Sequence, residues 1–148
     1  MKNKKILLVE DNPDDAKLTI HAFEKNNITN EIVVVNDGVM ALDYLFKRGL
    51  YSECDPNDLP TVILLDLKLP KIDGHEVLKQ IRANERTKLI PVIILTSSKE
   101  EDDLVKCYQN GCNSYVQKPV DFTEFVQAVQ SLGMYWLLLN EPPPGVRL

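Results

Sequence analysis

A chain of 148 residues with 44% hydrophobic and 26% charged side chains carries enough apolar material for one soluble domain with a sizeable core. A net charge of −5 without a basic stripe argues against a nucleic-acid partner, because that class of binding relies on clustered Lys and Arg. Three cysteines (Cys54, Cys107 and Cys112), odd in number and without zinc-like pairing, fit a reducing cytoplasm; the basic residues 1–5 precede an apolar run too short for a signal peptide, and no run reaches membrane-spanning length.

Residues 5–9 read as a short buried strand that ends at Glu10 and Asp11. Asn12 and Pro13 then start a helix, with Asp14 and Asp15 in its first turn, Ala16, Leu18, Ile20 and Phe23 on its apolar side, and Asn26 and Asn27 at its end. A second strand covers residues 32–35. Asp37 and Gly38 turn the chain into a helix that places Met40, Ala41, Tyr44, Leu45 and Phe46 inside and is closed by Gly49. Residues 50–60 are polar and irregular, a surface loop. Val62, Ile63, Leu64 and Leu65 are four apolar residues without alternation, as in a parallel strand covered on both faces, and Asp66 sits where that strand ends.

Pro70 and Gly74 mark the following turn, and a helix over about 74–84 carries Val77, Leu78 and Ile81. Residues 91–96 form another continuous apolar strand, ending at Thr96. Ser98 is expected to cap the charged helix after it, and Gly111 to stop it. The fifth strand, 114–117, ends at Lys118 and Pro119. Asp121 is expected to cap a last helix from 122 to about 140, with Phe122, Phe125, Val126, Val129, Leu132 and Trp136 toward the sheet. Strands alternating with helices define one α/β domain with a parallel sheet across 1–148, its core at about 4–140 and a proline-rich tail over 141–148.

In a doubly wound sheet of order 2-1-3-4-5, the ends of strands 1, 3, 4 and 5 surround one crevice. They deliver Glu10 and Asp11, Asp66, Thr96, and Lys118 respectively. Crowded carboxylates resist ionising together. A hard divalent cation relieves that repulsion, and magnesium, which takes oxygen ligands and keeps several waters, suits the set. Lys118 adds a fixed positive charge and Thr96 a hydroxyl, an arrangement that stabilises a phosphoryl group passing onto a carboxylate. Asp66 is the natural acceptor because the others flank it.

The residues that carry this reading resemble those of response-regulator receiver domains of two-component signalling: Glu10-Asp11, Asp66 within Leu64-Leu65-Asp66-Leu67-Lys68-Leu69-Pro70, Asp73-Gly74, Thr96 followed by Ser97, Tyr115, and Lys118-Pro119. The resemblance covers about residues 4–140 and implies the flavodoxin-like strand order 2-1-3-4-5. It implies that Asp66 accepts phosphate from a histidine kinase. Asp11, Asp66 and the Lys68 carbonyl would then hold magnesium, with Glu10 acting through water. Lys118 and Thr96 would bind the phosphoryl oxygens, and Thr96 and Tyr115 would switch the face of helix 4, strand 5 and helix 5. It also implies a cis Lys118–Pro119 peptide.

Lys68 lies two residues past the acceptor, where its side chain either overlies the phosphoryl group or points into solvent. The same lysine argues against a phosphatase of the haloacid dehalogenase type, which wants an aspartate there. A complete acidic pocket argues against a partner-binding pseudo-receiver, and the lack of a Ser/Thr-rich loop after strand 1 against flavin binding. His21 and His75 are expected to lie on helices away from the acidic residues. Met134 to Leu139 are apolar around the whole helix, so Met134, Trp136, Leu137 and Leu138 are expected to form a homodimer interface. The ending from Tyr135 to Pro143 is similar to single-domain regulators that serve phytochrome-type sensor kinases. The expectation is therefore a cytoplasmic phosphoacceptor, not an enzyme, acting through protein contacts without nucleic acid or membrane.

Overall fold

The computed structural model describes residues 4–25, 27–119, 121–141 and 143, with Leu138 described by its backbone alone. The elements follow in the order β1 (Ile6–Val9), α1 (Pro13–Lys25), β2 (Ile32–Val35), α2 (Gly38–Phe46), a 3₁₀ turn (Gly49–Tyr51), β3 (Val62–Leu65), α3 (Gly74–Ala83), β4 (Val92–Thr96), α4 (Glu101–Gln109), β5 (Ser114–Gln117), α5 (Phe122–Gly133) and a π-helical turn (Met134–Leu139). The strands form one five-stranded sheet in the order β2-β1-β3-β4-β5, and every neighbouring pair is parallel.

The three central strands are apolar throughout because both of their faces are covered. Leu7, Val9, Ile63, Leu65, Val92 and Ile94 point to the side covered by α2, α3 and α4. Ile6, Leu8, Val62, Leu64, Ile93 and Leu95 point to the side covered by α1, α5 and the π turn. Successive residues alternate between faces, and each face has its own helical layer. The edge strands are less enclosed, and Val34 of β2 is 40% exposed.

Several local expectations are corrected. Lys47, not Gly49, closes α2: it adopts φ 56° and its N–H donates to the Asp43 carbonyl, while Gly49 opens the 3₁₀ turn. Ser98 lies before α4 rather than at its cap, Glu100 taking that place; the Ser98 hydroxyl accepts from the Glu100 N–H at 3.3 Å and donates to Asp103 at 2.6 Å. Thr19 and Leu42 join the core, whereas Phe122 is 55% exposed. Spacing identifies a helix face, but not where the neighbouring layer stops covering it. Asp121 caps α5 as expected, accepting from the Glu124 N–H.

The largest departure is at the end of the chain. The α-helical pattern of α5 stops at Gly133, and the next residues bond five apart, as in Asn140 N–H to the Tyr135 carbonyl at 2.6 Å. A π turn holds an extra residue. Leu137, four residues after Gly133 and eleven after Val126, continues the buried face of α5: it is 2% exposed and packs in the α1–α5 layer, so it is not available as the dimer contact expected of it. Trp136 packs half-buried beside it, Met134 and Tyr135 are 46% and 51% exposed, and the expected contact through the Leu138 side chain lies outside the described residues. Most of the proline-rich tail lies outside them too. Among the described residues no helix is long and apolar enough to cross a membrane.

Candidate functional site

The register of the sheet assembles the site. Val9 pairs with Leu65, so Glu10 and Asp66 leave adjacent strands at the same level. Main-chain bonds extend the ladder past the strand ends: Asp66 N–H donates to the Val9 carbonyl, Glu10 N–H to that of Val35, and Lys118 N–H to that of Thr96. The acceptor loop is also held from the helix side. A Cβ on Gly74 would lie 2.4 Å from the Asp66 carbonyl oxygen, so only glycine lets α3 start this close, and the Gly74 N–H donates to the Leu67 carbonyl at 2.8 Å.

Glu10 and Asp66 are buried and Asp11 is exposed. One carboxylate oxygen from each of the three lies within 4.8 Å of the others. Lys118, 7% exposed at its side chain, directs its ammonium at Glu10 Oε1 (2.6 Å), Asp15 Oδ2 (2.8 Å) and Asp66 Oδ2 (3.2 Å). Burial alone would lower the lysine's pKa, but the bonds from Asp15 and Glu10 and the charge of Asp66 outweigh it and hold the ammonium above its ordinary value. Burial pushes the Glu10 carboxyl up to about 7 against the pull of Lys118, and the neighbouring Asp66 charge adds to the rise. A crevice whose donors are all hard oxygens, with more carboxylates than its one ammonium balances, fits a hard divalent cation.

Thr96 is fully buried at the end of β4, and its Oγ1 accepts from the Ser98 N–H at 3.3 Å. Tyr115 is half-buried, with its hydroxyl donating to the Ser98 carbonyl at 3.4 Å. Lys68 is exposed and its N–H points at Asp66 Oδ1 from 3.4 Å, a long contact. The Lys118–Pro119 peptide is not cis; no peptide among the described residues is, in keeping with the roughly 0.5–1 kcal/mol by which trans is favoured even before proline.

Two features escaped the sequence reading. Asp15 joins Lys118, although an acid in a first helical turn reads as a partner of the helix dipole; its place in the helix turn that directly follows the Glu10-Asp11 strand end was the available signal. His75 lies away from the acidic group, as expected, but its Nε2 is 2.9 Å from Asp103 Oδ1, and Asp103 Oδ2 takes the Ser98 hydroxyl, so α3, α4 and the loop after Thr96 are linked. The bond from Ser98 and then that from His75 hold the Asp103 carboxyl below its ordinary range.

A buried carboxylate at the topological switch point, flanked by two further acids, a lysine and a threonine from four strand ends, defines a doubly wound α/β domain with one polar crevice beyond its strands. The family model for the response regulator receiver domain matches residues 6–130, and the chain belongs to that family. It is 46% identical over 138 residues to the probable methanogenesis regulatory protein FilR2 of Methanothrix harundinacea, covering 93% of this chain and 86% of that protein. Its structure is similar to that of the phosphorylated cyanobacterial phytochrome response regulator RcpA, with a TM-score of 0.90 and 38% identity over 96% of this chain and 99% of the other. It is also similar to the Mn²⁺-bound form of response regulator Rcp1, a protein of Synechocystis, with a TM-score of 0.88 and 37% identity over 95% and 99% of the two chains.

Proposed function

We propose that this protein is a stand-alone two-component response regulator that takes a phosphoryl group onto Asp66 from a histidine kinase and signals through protein contacts. The observation that carries the proposal is the placement of Asp66, buried at the end of β3 with Lys118 and two further acids converging on it. The Asp66 carboxylate attacks phosphorus, the P–N bond of a phosphohistidine breaks, and the imidazole leaves with the electron pair of that bond. Lys118 is placed to hold the transferred oxygens, and Thr96 to donate its hydroxyl to one of them. The carboxylates of Asp11 and Asp66 and the carbonyl of Lys68 would hold Mg²⁺, with Glu10 acting through water; the cation neutralises charge on the phosphoryl oxygens. The only chemistry assigned to the protein is its own phosphorylation and dephosphorylation.

Phosphorylation withdraws Thr96 from the Ser98 N–H, which loosens the loop that holds the Tyr115 hydroxyl. That route supports Thr96 and Tyr115 as the switch. Similarity over nearly the whole chain to RcpA, a phytochrome response regulator, supports a phytochrome-type sensor kinase as the partner, and we place the exchange in the cytoplasm. Exposure of Met134 and Tyr135, with Trp136 half-buried beside them, supports a homodimer through the π turn, with Leu137 excluded from it. The test is transfer of radiolabelled phosphate from autophosphorylated histidine kinases of the native host: one kinase should label wild type within seconds and leave Asp66→Asn unlabelled, while equal labelling of both would reject the assignment.

A further inference from the structure

Lys118 makes three ion pairs, and only two of them involve the acids grouped for a cation. The third partner, Asp15, comes from α1. Its neighbour Asp14 is exposed and satisfies the helix dipole from the surface, whereas Asp15 turns inward. The backbone of Asp15 is fixed at both ends: its N–H donates to Asn12 Oδ1 at 3.2 Å, and its carbonyl accepts the Thr19 hydroxyl at 2.8 Å, Thr19 being fully buried. The Asp15 backbone is therefore held in place, and its carboxylate reaches the buried ammonium from α1. That carboxylate is 2.8 Å from the ammonium, closer than Asp66 at 3.2 Å.

An ammonium has three protons to donate, and here each faces a carboxylate. A phosphoryl group on Asp66 brings several further anionic oxygens into reach of the same nitrogen. Glu10 and Asp66 are buried in the crevice itself, whereas Asp15 reaches in from the partly exposed first turn of α1, so the partner from which the lysine is drawn is Asp15.

We propose that Asp15 is a positioning residue that holds Lys118 toward α1 and competes with the phosphoryl group for its ammonium, restraining phosphorylation of Asp66. This rests on the assignment of Asp66 as acceptor. A carboxylate held here opposes the reaction in two ways. It keeps the lysine partly engaged elsewhere, and it adds negative charge beside an incoming anionic donor.

The test compares initial rates of phosphorylation by acetyl phosphate in saturating Mg²⁺ for wild type, Asp15→Asn, Asp15→Glu and Asp66→Asn, with Mg²⁺ affinity measured in parallel. Asp15→Asn keeps the shape and removes the charge, and should react at least threefold faster than wild type. Asp15→Glu, which restores the charge, should fall back toward the wild-type rate, a reversal that a merely structural role would not produce. The Mg²⁺ affinity of Asp15→Asn should stay within about threefold of wild type. An Asp15→Asn rate equal to or below wild type overturns the proposal, as does a loss of Mg²⁺ affinity as large as that of an Asp11 variant, which would make Asp15 part of the cation site. If wild type itself takes up no phosphoryl group, or Asp66→Asn takes it up equally, the acceptor assignment fails instead.

Discussion

The division of labour among the acidic residues follows from what each one faces. Asp11 is exposed at the mouth of the cation group, Glu10 and Asp66 are buried against Lys118, and Asp15 touches the lysine from outside the cation group. Asp11→Ala should therefore weaken Mg²⁺ binding by tenfold or more, about 1.4 kcal/mol. Titration calorimetry giving the same affinity for mutant and wild type would remove Asp11 from the cation site. Lys68 is exposed with its backbone turned to Asp66, an arrangement that favours solvent for its side chain. Lys68→Ala should leave the dephosphorylation rate within twofold of wild type, and a larger change in the decay of labelled protein would return the side chain to the reacting phosphoryl group. The buried place of Asp66 at a strand end was legible in the sequence because an apolar run, an acid and a turn coincide there. Asp15 was not, because its charge has an ordinary use at a helix start that conceals the second one.

At the scale of elements, the hydrogen-bonded link between α3, α4 and the loop after β4 bears on stability. Asp103 accepts from Ser98 and pairs with His75, and its carboxyl is held below the ordinary range. A depressed carboxyl contributes stability that is fully present above its unfolded value and lost as pH falls through the folded one. Asp103→Ala should cost roughly 1–3 kcal/mol in urea unfolding at neutral pH. The difference from wild type should shrink as the pH is lowered from about 5 toward 3; a difference independent of pH would mean that the charge is not what stabilises the link. Gly74→Ala should be more disruptive, because its Cβ would meet the Asp66 carbonyl at 2.4 Å and the Leu67 Cα at 2.6 Å, both backbone atoms. Loss of phosphorylation rate in that variant should accompany a lowered Tm. The strands were legible because burial on both faces leaves no alternation. The π turn was not, since a repeat of 3.6 residues gives no sign of an inserted one; the buried side of Leu137 was hidden for another reason, that the run around it is apolar in every direction and marks no face.

For the whole molecule, the sheet gathers the chemistry at one end of the strands and α5 carries the chain on to a partly apolar end. Tyr135 and Trp136 pack edge to face at 5.1 Å between ring centroids, and Met134 and Leu139 are 46% and 71% exposed. Replacing Met134 and Leu139 with charged residues should give a folded monomer that still accepts phosphate. Light scattering of the unmodified protein as a monomer at micromolar concentration, with and without phosphorylation, would contradict assembly through this segment. The order of the sheet was accessible through the family resemblance rather than through periodicity, which identifies strands without saying which are neighbours. The central claim is that Asp66 is the phosphoacceptor, and intact-mass measurement after incubation with acetyl phosphate addresses it directly. The account predicts the addition of one phosphoryl group, dependent on Mg²⁺ and absent from Asp66→Asn; the same addition persisting in Asp66→Asn, or none in wild type, would contradict it.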